Sequence, residues 1–192
     1  MPLATDSATP HFRRKNIRLP AAEYRGCRTY FVTLACERRF RAFATAPFAQ
    51  RTTEILGDVS ARHAMVVHAY CVMPDHLHLL IAGLSASSNL LNFVMNFKQM
   101  TTAEFHSGHP ERSLWQKKFY DHVLRFKDKA DGVAAYIWMN PVRKGLCRLP
   151  GEYPWSGSFS RNWKEEVRTM TVWEPPWKTV QPSRKPVRAT VV

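Results

Sequence analysis

Two histidines separated by one residue are the first feature of this sequence that could do chemistry. His76 and His78 flank Leu77. Alternate side chains of a β-strand point to the same face, so the two imidazoles would stand side by side, with Cα atoms roughly 6–7 Å apart. Two neutral imidazoles at that spacing can chelate one divalent ion. A polar sheet face that carries two histidines is the alternative, and Asp75, on the opposite pleat, is expected to be a turn residue.

A tyrosine and an asparagine form the second candidate pair. Tyr136 and Asn140 are four residues apart in a segment with helical character, so they lie on one face of a helix. A tyrosine one turn from a neutral oxygen donor can approach an ion that the donor also binds. The alternatives are a half-buried packing role for Tyr136 and a capping role for Asn140 before Pro141.

The elements that must position these residues are predicted from hydrophobic periodicity. Strands are expected at 29–36, 64–73, 76–82 and 119–125. Helices are expected from Pro47, from a cap at Ser87 or Ser88 to near Gly108, and over 128–140. The last helix should stop at Pro141, because proline disfavours α geometry in the residue before it.

The order of these elements, β-α-β-β-α-β and a further helix, predicts an α+β fold. It is the ferredoxin-like split β-α-β arrangement, an antiparallel sheet with helices on one face, plus a C-terminal helix that bears Tyr136. We divide the chain into a flexible basic arm at 1–20, one domain at 21–160, and a basic tail at 161–192 that contains proline and tryptophan.

Charge indicates the class of partner. The chain of 192 residues has 28 Lys and Arg against 15 Asp and Glu, a formal net charge of +13. The excess is +6 in residues 1–41 and +8 in residues 111–192, while residues 42–110 carry −1. A solubilising surface is one explanation, but such concentrated charge favours a polyanion, namely nucleic acid.

Composition excludes several classes of protein. A hydrophobic fraction of 45% with 12% aromatic residues can build a core, which excludes a fully disordered chain. Apolar runs fall short of the ~20 residues of a membrane span, and the first 25 residues show no signal-peptide pattern. Four cysteines lack C-x-x-C spacing. We therefore expect a cytoplasmic, nucleoid-associated protein without a membrane partner.

Four motifs in order carry a family resemblance. They are VMPDHLHLLIAG at 72–83, RSLWQKKFYDHVLR at 112–125, AAYIWMNPVRKGL at 134–146 and YPWSG at 153–157. With YRGCRTYFVT at 24–33 as the opening strand, the sequence resembles the REP-associated tyrosine transposases, which belong to the single-tyrosine HUH nuclease superfamily.

The resemblance implies a reaction and its residues. Members cleave single-stranded DNA by transesterification, through a 5′-phosphotyrosine intermediate and a free 3′-OH. By position Tyr136 matches the nucleophile, His76 and His78 the metal-binding pair, and Asn140 the third ligand of Mg²⁺ or Mn²⁺. The implied substrate is a hairpin with adjacent single strand, from repetitive extragenic palindromes. Tyr120 is a weaker candidate nucleophile because it has no oxygen donor four residues later.

Several other properties stay open at this point. The protein could be a monomer, or a homodimer that exchanges its tyrosine helix. A catalytically silent hairpin-binding protein derived from such a transposase is the alternative function, and an RNA-binding ferredoxin-like domain is a third. Basic and aromatic residues are candidate DNA contacts, with Phe119 and Trp138 as further stacking candidates. The contact set is Arg13, Arg14, Lys15, Arg25, Lys98, Gln99, Trp115, Lys117, Lys118, His122, Arg125, Arg143 and Lys144.

Overall fold

An antiparallel sheet of five strands organises the protein. The computed structural model describes residues 20–124, 130–168 and 170. The strands are β1 (Thr29–Ala35), β2 (Met65–Met73), β3 (His76–Gly83), β4 (Tyr120–Val123) and β5 (Ser156–Gly157), in the spatial order β4-β1-β3-β2-β5. The helices are α1 (Ala46–Arg62), α2 (Leu90–His106), α3 (Ala130–Arg143) and α4 (Trp163–Val167). Short 3₁₀ turns cover Ala21–Tyr24, Glu37–Arg39, Ala42–Ala44 and Pro150–Glu152.

The central hairpin joins β2 and β3 through the turn at Pro74 and Asp75, as predicted. Met73 pairs with His76 at the closed end, and β1 pairs with the other edge of β3. This arrangement makes β3 a central strand, so the segment that carries both histidines is hydrogen-bonded on its two sides.

Helices cover both faces of the sheet. Leu34, Leu77 and Leu79 belong to one core cluster with residues of α1 and α2, which pack on the same face. Cys71 and Leu80 face the other way, into a second cluster with α3. The predicted α+β antiparallel fold is thus confirmed, and the tertiary structure adds a fifth strand and places the tyrosine-bearing helix on the second face, where α4 also packs.

Two predicted helix boundaries are wrong. Helix α2 begins after Asn89, whose side chain accepts hydrogen bonds from the Leu91 and Asn92 amides at 2.9 and 3.2 Å, so neither Ser87 nor Ser88 is the cap. The hydroxyl of Ser88 instead donates to the Ala64 carbonyl, 2.7 Å away. A polar side chain one residue later therefore takes the capping role.

Helix α3 also differs, because it continues through Pro141 to Arg143. Proline has no N–H and leaves the carbonyl of Ile137 without its helical donor. The side-chain amide nitrogen of Asn140 lies 2.9 Å from the Tyr136 carbonyl and 3.5 Å from that of Ile137. This side chain partly replaces the missing backbone donor, which lets the helix run past the proline.

The folded part of the chain extends beyond the predicted boundary at 160. Val167 is buried, and Trp163 packs against Trp138 with ring centroids 6.0 Å apart. Arg161 forms ion pairs with Asp131 and Glu166 at 2.8 and 2.6 Å. The first residues assigned to the tail are thus part of the domain, whereas residues 1–19 of the predicted arm at 1–20 and residues 171–192 lie outside the described residues. None of the described helices combines the length and the apolar character that crossing a bilayer requires.

Candidate active site

An open cleft of about 550 Å³ lies on the α3 face of the sheet. Its wall contains His76, His78, Tyr136 and Asn140, the four residues that the sequence analysis singled out for chemistry. The sheet contributes the histidines and α3 contributes the other two. Residues from two separate regions of the sequence therefore meet in one place, within one chain.

The two histidines are close enough to act together. Their Nε2 atoms are 3.1 Å apart, and the rings lie nearly perpendicular, with an interplanar angle of 84°. His78 is buried, with 8% of the residue exposed, and 13% of the His76 side chain is exposed. The alternation of side chains along β3 places both rings on this face and Leu77 in the opposite core.

Each ring is oriented through its other nitrogen. Nδ1 of His76 donates to the Asp75 carboxylate at 2.5 Å, and Nδ1 of His78 lies 2.8 Å from the Thr33 hydroxyl. A hydroxyl can donate or accept, so Thr33 suits either tautomer of His78. The Asp75 carboxylate also pairs with Arg39 at 3.4 Å. These contacts direct both Nε2 atoms toward the same point.

Burial keeps both imidazoles neutral. The pKa of His78 is lowered to about 3, mainly by desolvation and to a smaller extent by the positive charges of a protonated His76, Arg39 and Arg143. Desolvation also lowers the pKa of His76, with smaller lowering effects from Arg39 and Lys144, although the Asp75 carboxylate opposes the shift. Neutral imidazole is the form that binds metal ions.

The separation of the two Nε2 atoms fits a divalent ion. A third ligand would then be a side chain other than His, Cys, Asp or Glu. Two nitrogens that lie about 2.1 Å from one ion at right angles are about 3.0 Å apart, close to the observed separation of 3.1 Å. In the described part of the chain, no cluster of three His, Cys, Asp or Glu side chains is placed to hold a metal ion. The neutral amide of Asn140 on the same wall can complete the donor set.

The amide of Asn140 has a defined orientation. Its nitrogen donates to the Tyr136 carbonyl at 2.9 Å, and a carbonyl can accept only from the NH₂ side of the amide. Because the amide nitrogen is used in this hydrogen bond, the amide oxygen of Asn140 is the atom that can act as a ligand. The residue is buried, with 6% exposed, so this orientation is protected from solvent.

Tyr136 lies half-buried beside the histidines. Its ring centroid is 5.9 Å from that of His78 and 5.9 Å from that of Phe31. The Arg143 guanidinium stands 5.1 Å from the centroid of the Tyr136 ring. Tyr120, the weaker candidate nucleophile, is 58% exposed on the edge strand β4 and does not line the cleft.

The predicted DNA contacts are scattered. Lys144 lines the cleft and Arg143 lies over Tyr136, so these two are close to the candidate site. Gln99 and Lys117 border a separate depression beside α2. Three further predicted contacts have exposed side chains outside the cleft and this depression, namely Arg25, Lys118 and His122. Outside the described residues lie Arg13, Arg14, Lys15 and Arg125.

Two of the predicted contacts, Trp115 and Lys98, make interactions inside the protein. Trp115 is 5% exposed and its indole N–H donates to the Thr101 hydroxyl at 2.8 Å, so its ring belongs to the core and cannot serve as an open stacking platform. The Lys98 ammonium donates to the Gln116 carbonyl at 2.7 Å and lies 5.7 Å from the Phe119 ring. Trp138 is fully buried as well. Burial therefore keeps the rings of Trp115 and Trp138 from stacking on bases, whereas Lys98 is half-buried and lines the same depression as Gln99 and Lys117.

Sequence reasoning missed four residues of the cleft. Thr33 and Asp75 orient the histidines, and Arg39 and Arg41 line the wall. Position next to His76 was the available signal for Asp75. For Thr33 the signal is its pairing with His78, which becomes visible only when the register of β1 against β3 is known.

Comparisons with known proteins identify the family of this chain. The family model described as "Transposase IS200 like" matches residues 25–139. A Haemophilus influenzae protein, named as a candidate REP-associated tyrosine transposase, is 24% identical over 148 residues, or 72% of this chain and 83% of that protein. The REP-associated tyrosine transposase of Escherichia coli is 20% identical over 154 residues, which cover 76% of this chain and 90% of the relative.

A solved structure shares the fold. It shows a REP-associated tyrosine transposase bound to a REP hairpin, and it matches with a TM-score of 0.63 at 20% identity, covering 79% of this chain and 88% of the other. The predicted resemblance to REP-associated tyrosine transposases is confirmed by these matches. The family model covers more than half of this chain, so this chain belongs to the family of IS200-like transposases.

Proposed function

We propose that this protein cuts and rejoins single-stranded DNA beside hairpins, by attack of the Tyr136 hydroxyl on a phosphodiester. The single observation that carries the proposal is the meeting of Tyr136 and His78 in one cleft, with ring centroids 5.9 Å apart. Packing alone does not require a phenol beside a pair of neutral imidazoles. Together they supply a nucleophile and a site for a divalent ion.

The proposed reaction conserves bonds and protons. The phenolic oxygen of Tyr136 forms a bond to phosphorus, while the bond from phosphorus to the 3′ oxygen of the preceding nucleotide breaks. The proton that the phenol loses is balanced by the proton that the 3′ oxygen gains. The products are a 5′-phosphotyrosine linkage and a free 3′-OH, and attack by another 3′-OH reverses the step onto a new strand.

His76, His78 and Asn140 are the residues that would hold the ion in this proposal. A bound divalent ion would polarise the scissile phosphate and stabilise negative charge on the leaving oxygen. All three donors are neutral, so they would leave the charge of the ion available to the phosphate. Imidazole donors suit Mn²⁺, and Mg²⁺ is the second candidate.

The proposed substrate is hairpin DNA with an adjacent single strand. The solved relative is described as bound to a REP hairpin, and the net charge of +13 in this chain suits a polyanion. Such a substrate agrees with a cytoplasmic, nucleoid-associated location. Because Tyr136 and both histidines come from one chain, a monomer with its own tyrosine helix in place is the arrangement that we favour.

The test is formation of a covalent adduct. The chain is incubated with hairpin oligonucleotides, labelled at the 3′ end, in Mn²⁺ or Mg²⁺, and the products are separated on a denaturing gel. The label should shift to a protein-linked band, because the fragment that keeps the 3′ end carries the 5′-phosphotyrosine. Tyr136→Phe should form no adduct, whereas the matched control Tyr120→Phe should form as much as the wild type.

A second variant separates the enzyme from a silent binding protein. Asn140→Leu removes the amide oxygen and should lose adduct formation while it still binds the hairpin in EDTA. If the wild type binds hairpins but forms no adduct with any of them, the chain is a catalytically silent regulator. Equal adduct formation by Tyr136→Phe and wild type would show that another residue is the nucleophile.

A further inference from the structure

We propose that Arg41 and Lys144 form a binding subsite for the phosphodiesters that flank the scissile phosphate on the single strand. The inference rests on the proposed function, since it assigns a route for the same substrate. Both side chains line the cleft that contains His76, His78 and Tyr136. Both residues are exposed, so their charged groups are accessible to a ligand.

The charges of these two residues are not used inside the protein. Arg39, the third cation on the wall, pairs with the Asp75 carboxylate at 3.4 Å. Among the described residues, neither the Arg41 guanidinium nor the Lys144 ammonium has an ion pair or a side-chain hydrogen bond. Their positive charge is therefore available for an anion from outside.

The wall of the cleft has an excess of positive charge. Asp75 is the one acidic residue among the described residues of this wall, and it already faces Arg39 and His76. Two positive charges remain in excess, which concentrates anions in the cleft before any metal ion binds.

Arg41 is attached to the hairpin that carries the histidines. The Cys36 amide donates to the Asp75 carbonyl at 2.9 Å, and the Phe43 amide donates to the Pro74 carbonyl at 3.0 Å. These two bonds join the segment that contains Arg41 to the β2–β3 turn on both sides of the residue. Its backbone therefore has a fixed relation to the metal-binding pair.

Lys144 is attached to the nucleophile's helix. Tyr136, Asn140 and Lys144 follow one another at intervals of four residues, and the Lys144 amide donates to the Asn140 carbonyl at 3.1 Å. Tyr136 and Asn140 lie on one face of α3, and Lys144, the first residue after the helix, continues the same spacing, with about 6 Å of rise between neighbours. Lys144 thus lies one turn after Asn140, the candidate metal ligand, and two turns after Tyr136.

This arrangement suits a strand that passes through the cleft. One phosphate would lie at the histidines and Tyr136, and its neighbours in the strand would meet Arg41 and Lys144. Contacts to phosphates position a strand without reading its bases. We therefore expect the subsite to set affinity and alignment of the strand equally for all sequences, while discrimination between hairpins arises elsewhere.

The experiment measures binding of single-stranded DNA against salt, in EDTA, with Tyr136→Phe as the parent so that no strand is cut. Arg41→Gln and Lys144→Gln should each weaken binding and reduce the slope of log affinity against log salt by about 0.7, the value for one phosphate contact on a single strand. The matched controls are Arg62→Gln on α1 and Lys164→Gln on α4, both exposed and outside the cleft. The controls should keep the slope of the parent.

Uncharged methylphosphonate linkages then locate the contact. Replacing single phosphates one by one should weaken binding by the parent at a position near the cleavage site, and the same replacement should leave Arg41→Gln unaffected. Such non-additivity identifies a direct pair. Slopes for Arg41→Gln and Lys144→Gln equal to those of the controls would overturn the subsite.

The outcome for the subsite is separate from that for the proposed function. Adduct formation by the wild type together with unchanged slopes would overturn the subsite and leave the nuclease in place. Reduced slopes without any adduct would support the subsite in a protein that only binds. Absence of any binding of single-stranded DNA by the parent would overturn the subsite, and an adduct assay on the wild type would then decide the function.

Discussion

The Thr33 hydroxyl lies 2.8 Å from Nδ1 of His78, across the pairing of β1 with β3. The two residues are directly opposite in the register, so the contact follows from the sheet itself. It holds the ring with Nε2 directed toward His76, 3.1 Å away. A strand that contains none of the predicted ligands thereby sets the geometry of the histidine pair.

Thr33→Val should weaken metal binding without loss of the fold. Valine keeps the branched shape and removes the hydroxyl, so His78 loses the partner that orients it. Loss of such a partner usually lowers metal affinity by about 10–100-fold. Titration of Mn²⁺, followed by the electron paramagnetic resonance of the free ion, measures the change.

Thr53→Val is the matched control for that substitution. The Thr53 hydroxyl donates to the Ala49 carbonyl at 3.1 Å within α1, on the other side of the sheet from the cleft. The control should bind Mn²⁺ like the wild type. Equal affinity of Thr33→Val and Thr53→Val would contradict the orienting role of Thr33.

Trp115→Phe should lower the free energy of unfolding and leave the affinity for DNA unchanged. The substitution removes an indole N–H that donates to the buried Thr101 hydroxyl, and it also leaves a small void. We expect a loss of about 1–3 kcal/mol in the free energy of unfolding, measured with urea. The affinity for single-stranded DNA should match the wild type, and a loss of affinity at unchanged stability would instead make Trp115 a DNA contact.

His68→Gln should make the protein less sensitive to acid. Burial lowers the pKa of His68 and the positive charge of Arg161 lowers it further, so the native state disfavours the proton. The unfolded chain binds that proton near pH 6.5, and stability is therefore lost as pH falls below this value. Glutamine does not titrate and removes this contribution.

Urea unfolding of wild type and His68→Gln at pH 7.5 and pH 5.5 tests the point. The loss of free energy of unfolding between the two pH values should be smaller in the variant. The other histidines are present in both proteins, so the difference isolates His68. An equal loss in the two proteins would show that the native state accepts the proton as readily as the unfolded chain does.

The sequence alone determined the features that depend on local backbone geometry. Alternation along a strand places His76 and His78 on one face, and the four-residue interval places Tyr136 and Asn140 on one face of a helix. Both predictions need only the repeat of the element concerned. The hairpin turn at Pro74 follows equally from its neighbours, and the α+β class follows from the order of the elements.

Only the tertiary structure decided how these local pieces meet. The choice of sheet face for α3 brings Tyr136 to the histidines, and the register of β1 selects Thr33 as the partner of His78. Burial separates Trp115 from a surface role that its type and neighbourhood had suggested. Such contacts join residues that are far apart in the chain, and their choice depends on the packing of the whole core, which no local pattern encodes.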